Sequence, residues 1–313
     1  MGHPSGEQFE ITLGRQKAAV VEVGGGIRTY AVGDRNVLDG YAVDEPATSG
    51  RGQVLIPWPN RIRDGTYEFD GRRHQLELNE PERGNAIHGL VRNALWRATE
   101  HDGSRVVMEH VLDGQTGYPF SLELRIEYAL SEGGLSVTTT ATNLGAERCP
   151  YGCGAHPYVT AGTPKVDTAS LSAPAETVLL SDERGIPTEA IPVRGTDFDF
   201  REPSAIGKTV LDHCFTDLER DADGRAAVRV SDPGGHSVTL WADEGYRYVM
   251  VFTGDPLPDV ARRSLAIEPM TCPPNAFQAG EDVIALEPGR SFSSSWGVTT
   301  VRGGDIAAMD GAS

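Results

Sequence analysis

Five polar side chains occupy Gly- or Pro-rich settings, the places where a β scaffold presents reactive groups on strand ends and loops. His156 sits in Gly152-Cys-Gly-Ala-His-Pro-Tyr158. Pro157 restricts the backbone of His156 to extended conformations, which narrows the directions open to its imidazole. Imidazole is the side chain best suited to proton transfer near neutrality. Glu268 sits in Ala266-Ile-Glu-Pro-Met270. A glutamate that closes an apolar strand and is followed by proline is expected at a partly desolvated strand end. Burial there would raise its pKa above ~4.3 and make it a stronger base. The bland alternatives are a loop histidine beside a structural proline and an edge-strand glutamate.

Arg61, in Pro57-Trp-Pro-Asn-Arg-Ile62, offers a planar, permanently charged donor fork for hydroxyls or an oxyanion. Trp58 beside it offers a flat apolar face, and a plain surface arginine fits the pattern equally well. His88, in Ile87-His-Gly-Leu-Val-Arg92, precedes a glycine that permits close backbone approach. Taken alone, it reads more readily as a satisfied structural histidine. Asp212, in Leu211-Asp-His-Cys-Phe215, can accept from hydroxyls or orient an imidazole, and strand alternation points His213 away from it. No H-x3-H or paired C-x2-C spacing is present, so no metal site is expected. Gly24-Gly-Gly26 lacks the strand–helix context of a phosphate loop and reads as a turn.

These groups must be positioned by strands. Thr66 to Leu78 predicts a hairpin turning at Asp70-Gly71, a pair suited to a type I′ turn. Leu122 to Leu130 alternates cleanly, Gly133-Gly134 turns the chain, and Leu135 to Ala141 alternates back. Val228 and Val230 lead into Asp232-Pro-Gly-Gly235, then Val238 and Leu240. Tyr246 to Phe252 and Ser264 to Ile267 are further strands, and only Val37 to Tyr41 and Asp259 to Arg263 suggest helical turns. Short strands punctuated by 37 glycines and 20 prolines indicate a sandwich or barrel. No linker or repeat divides the chain, so residues 1–313 are read as one domain, with 1–6 and about 303–313 as frayed ends.

Twenty-eight basic against 45 acidic residues give a formal charge of −17, which argues against nucleic-acid and anionic-membrane partners. No apolar run approaches ~20 residues and the N-terminus has no secretory pattern, so a cytoplasmic protein is expected. Four cysteines (Cys149, Cys153, Cys214, Cys272) are too few for a disulfide scaffold and are expected to be buried thiols.

In this order and spacing, the five segments resemble the aldose 1-epimerase (galactose mutarotase) family, as a divergent bacterial-type member. The resemblance runs from about Gly14 to Val301. It implies an all-β fold, a large antiparallel β-sandwich of the galactose mutarotase type (a supersandwich). It also implies an isomerase that interconverts the α and β anomers of a free hexose such as glucose or galactose. Glu268 would be the general base and His156 the general acid. Arg61, His88 and Asp212 would bind the sugar. No cofactor is implied, and the expected state is a monomer or homodimer. The chain has Leu90 where many members have a second glycine after His-Gly, and Met270 where they have glutamine after Glu-Pro.

Other activities compete. A hexose 6-phosphate mutarotase could draw a phosphate site from Arg51, Arg61, Arg63 and Arg92. A non-catalytic carbohydrate-binding protein would need Trp58 as a stacking platform but not the acid–base pair. A glycoside hydrolase would pair Asp212 with Glu268 across the bond.

Overall fold

The computed structural model describes residues 2–160, 162–258 and 260–301. Two large antiparallel sheets dominate. Around the centre of a nine-stranded sheet lie Leu122–Ser131, Gly134–Asn143, Ser291–Val301 and Ser237–Ala242 in that order. Burial alternates residue by residue along Leu122–Ser131 and Gly134–Asn143. The inward side chains Leu122, Leu124, Ile126 and Tyr128 are essentially inaccessible to solvent. Each contributes roughly 1.5–3 kcal/mol of transfer free energy. On the opposite face, Thr138, Thr140 and Thr142 pair their hydroxyls with Ser295, Ser293 and Ser291.

The second sheet has eight strands, and its middle strands are Asp212–Leu218, Tyr248–Phe252 and Leu265–Met270. Every residue of Leu265–Met270 is buried, so this sheet is covered on both faces. One contiguous apolar core joins residues of the two large sheets, and Leu179, Cys214, Tyr248, Met250 and Met270 form a smaller second cluster. An N-terminal meander, Gln8–Leu13, Gln16–Val21, Ile27–Val32 and Arg35–Asn36, completes the layers. This is the large antiparallel β-sandwich that the motifs imply.

The predicted hairpins form. Phe69 pairs with Arg72 across Asp70-Gly71, both at positive φ as a type I′ turn requires. Ser131 pairs with Gly134, so that hairpin turns on Glu132-Gly133, one residue earlier than expected. Val37 to Tyr41 forms no helical turn, and Leu38 instead bridges to Val159. In the other expected helical stretch Val260 to Arg263 is turn and bend, and Asp259 lies outside the described residues. Two short helical segments were not anticipated, Val166–Thr168 and Ala276–Ala279. At the N-terminal end, Ser5 is buried and its carbonyl accepts from Val23 N–H. Residues 303–313 lie outside the described residues. No helix among the described residues is long and apolar enough to cross a membrane.

Candidate active site

Glu268 lies inside its strand, not at the end where the proline after it had placed it. It pairs with Met250, which pairs in turn with Cys214. Alternation then sets Asp212, two residues from Cys214, on the same face as Glu268. His213 faces the other way, against the ring of Phe198 at 4.3 Å.

His156 is delivered to this face by strand pairing. Gly154 pairs with Met270, and Tyr158 pairs with Ala266. That common register puts His156 opposite Glu268. The backbone of His156 is pinned twice, its N–H donating to Gln53 O at 3.0 Å and its carbonyl accepting from Gly52 N–H at 2.9 Å. Its Nε2 is 3.3 Å from Glu268 Oε1, and both side chains are buried. Tyr158 stacks on the imidazole at 5.0 Å, and the Arg51 guanidinium sits 4.3 Å from the Tyr158 centroid. Arg51 is held in turn by Asp39. Gly50 is part of this arrangement, because a Cβ there would lie 2.5 Å from the His156 ring.

Arg61 and His88 come from a separate two-stranded ladder, Arg61–Arg63 with Asn85–Ile87. His88 adopts a φ of 63° and is locked to Asn60 from both ends. Its N–H donates to Asn60 O at 2.9 Å, and its Nδ1 accepts from Asn60 N–H at 3.2 Å. That bond leaves the proton of the neutral ring on Nε2. The ring packs edge-on to His156 at 5.4 Å. The Gly89 Cα approaches so closely that a Cβ would lie 2.0 Å from Ile56 O. Arg61 grips Glu80 through Nε at 2.9 Å and Nη2 at 2.9 Å, and Asn85 Nδ2 donates to the same carboxylate.

Burial governs the electrostatics. It pushes the Glu268 carboxyl well above the carboxylate range, the negative charge of Asp212 adds to the effect, and Arg61 opposes it. Burial likewise pulls the His156 imidazole down to about 3, with Arg92, Arg51 and Arg61 acting in the same direction. His88 is lowered too, by burial first and then by His156, Arg92 and Arg61. No acidic neighbour offsets these effects enough to keep His156 charged. Both shifts favour the neutral forms, a protonated Glu268 carboxyl and an uncharged His156 imidazole, over an ion pair. Glu268 Oε2 and His156 Nδ1 are buried without a hydrogen-bond partner among the described residues. An orphaned polar atom on each partner marks where an incoming polar group would be welcomed.

The donor atoms of His88, His156 and Glu268 all lie within 4.8 Å of one another. Such a set could also ligate a divalent ion, although no ligand spacing in the sequence pointed to one. Trp58 is not an exposed platform. It is 2% exposed and packs on Phe277 at 6.0 Å. All four cysteines are free and buried, and burial raises their thiols, which leaves them unreactive. Sequence reasoning missed Glu80, Gly50 and Asp39, and it named Arg51 as a phosphate candidate but not as support for Tyr158. Only Tyr158 lay within a recognised motif.

Residues 7–299 match the family model described as aldose 1-epimerase. The chain is 35% identical to the uncharacterized protein YihR of Escherichia coli K12, over 92% of this chain and 91% of that one. It is 30% identical to human galactose mutarotase, over 67% of this chain and 66% of that one. A solved structure of a GalM/aldose epimerase homologue from C. elegans superposes with a TM-score of 0.85 at 18% identity, covering 95% of this chain and 99% of that one.

Proposed function

Because the chain belongs to the aldose 1-epimerase family, we propose that it is a mutarotase that interconverts the α and β anomers of an aldohexose with a free anomeric hydroxyl, glucose and galactose being the simplest sugars of that kind. The observation that carries this reading is the contact between His156 and Glu268, 3.3 Å apart, with an orphaned polar atom on each partner.

Mutarotation removes the proton from the anomeric hydroxyl O1 and delivers one to the ring oxygen O5. The C5–O5–C1 ring opens at C1–O5, C1–C2 rotates, and closure on the other aldehyde face gives the other anomer. One acid and one base suffice, each worth ~10²–10⁴ in rate. The buried pair holds one mobile proton. Hydroxyls of a bound sugar would solvate Glu268 and favour transfer of that proton to His156. Glu268 then accepts the O1 proton and His156 protonates O5. His88, with its proton fixed on Nε2, and Arg61, held by Glu80, stabilise charge developing at O5. Asp212 accepts from a remote hydroxyl. The two proton transfers require no cofactor.

A carbohydrate-binding protein without catalysis is less well supported, because Trp58 is sealed in the core. Polarimetry of freshly dissolved α anomers tests the proposal: acceleration by catalytic amounts of protein supports it, and binding without acceleration overturns it.

A further inference from the structure

Three of the four arginines that could serve an anionic sugar are already neutralised. Arg51 pairs with Asp39 at 3.2 Å, Arg61 with Glu80 at 2.9 Å and Arg63 with Asp182 at 2.6 Å. Arg92 differs. Its guanidinium reaches only Gln53 Oε1 and the Ile87 carbonyl, each at 3.4 Å. Among the described residues no carboxylate pairs with it. Both contacts are longer than the 2.7–3.2 Å of a good N–H···O bond. A half-buried cation without a counter-ion is costly to hold, and in a chain with 45 acidic residues its lack of one is conspicuous.

The position of Arg92 says what the charge is for. Ile87 immediately precedes His88, and the Gln53 carbonyl receives the His156 N–H. The guanidinium therefore stands beside the backbone that fixes both histidines, and its charge acts on each ring. In the proposed reaction those histidines face the ring oxygen O5. The substituent next to O5 on the closed ring is the exocyclic C6 on C5. A planar guanidinium fork whose present partners are loose and neutral is suited to take an oxyanion through two donors.

We propose that Arg92 receives an oxyanion carried on C6, so that the preferred substrate is an aldohexose bearing a phosphate, sulfate or carboxylate group there rather than a neutral hexose. This inference rests on reading the site as a sugar site. The oxyanion would displace the long contacts to Gln53 and Ile87 and supply the missing counter-charge.

The test compares kcat/KM for mutarotation of D-glucose, glucose 6-phosphate, glucose 6-sulfate and glucuronate, with calorimetric binding of the same sugars alongside. Wild-type protein should favour at least one anionic sugar over glucose by about tenfold or more, and which one wins identifies the oxyanion. Arg92→Gln should abolish that preference, and Arg92→Lys should keep part of it. Equal kcat/KM for charged and neutral sugars, or a preference that survives Arg92→Gln, overturns the inference while leaving the mutarotase reading intact. Should no sugar be turned over, that reading fails and binding decides: anionic sugars bound by wild type and released in Arg92→Gln support the Arg92 site, and no binding overturns it. Should Arg92→Gln not fold, the wild-type ratio and the Arg92→Lys variant decide alone.

Discussion

His156 stands opposite Glu268 because the pairs on either side of them, Gly154 with Met270 and Tyr158 with Ala266, share one register. Glu268 lies within its strand and His156 in the short break between Gly154–Ala155 and Tyr158–Val159, both of which pair with that strand, so their contact is set by register rather than by a chance meeting of loops. Its geometry is inherited from the sheet, and the groups stacked against it refine it. Tyr158 lies nearly parallel to the His156 ring, at 16°. Replacing Tyr158 with leucine should free the imidazole to rotate. Because Tyr158 positions the ring, the replacement should lower kcat by about 10- to 100-fold with little change in KM. A Tyr158→Leu variant that raises KM alone would place the ring in sugar binding instead.

Burial of the same pair predicts how stability depends on pH. An unfolded glutamate releases its proton near ~4.3, whereas folded Glu268 holds it to a much higher pH, so its contribution to stability falls as pH rises between the two values. His156 runs the other way. Its folded value near about 3 lies below the ~6.5 of an unfolded imidazole, so its contribution is lost as pH drops through that interval. Above ~6.5 only the Glu268 penalty remains. The Glu268→Gln variant should therefore gain in Tm relative to wild type as pH rises from there. Melting curves that shift in parallel would show that Glu268 is ionised in the folded protein.

Glu80 holds the Arg61 guanidinium through two bonds, with the side chains 11% and 18% exposed. Glu80→Gln leaves that charge with a neutral partner and should destabilise the fold by about 1–3 kcal/mol in urea unfolding. It should also lower kcat/KM. An unchanged unfolding midpoint would mean that solvent or another acid compensates Arg61.

Two glycines separate backbone strain from close contact. Gly71 has a φ of 72° and nothing within 4 Å of a Cβ, so Gly71→Ala should cost only about 1 kcal/mol. Gly89 has a φ of 70°, and its Cβ would lie 2.0 Å from Ile56 O. Gly89→Ala should cost several times more, about 3 kcal/mol or above, because backbone must move. Equal midpoints in denaturant would refute the close approach beside His88.

Much of this was legible in the sequence. Alternation and turn chemistry gave the hairpins around Asp70-Gly71 and Asp232 because both signals are local. The five candidate site residues were read from motifs, but their neighbourhood was not. Pro269 read as a strand terminator, yet it sits within Leu265–Met270, where the partner chain departs from regular pairing around His156 and Pro157. The protonation of the pair depends on burial from every side, which no single segment encodes. Glu80 lay in a segment with no motif, and only the ladder joining Arg61 to Ile87 brings its neighbourhood to the site.

The central claim is that Glu268 and His156 together move the protons of mutarotation. The most direct measurement is the initial rate of optical-rotation change for α-D-glucose, α-D-galactose and their 6-phosphates, with wild type, Glu268→Gln and His156→Asn at equal concentration. Folding of each variant is checked by circular dichroism. Wild-type protein should accelerate at least one sugar, and each folded variant should lose about 10²-fold or more of that rate. Wild-type rates in both variants, or no acceleration of any sugar by the wild-type protein, would contradict it.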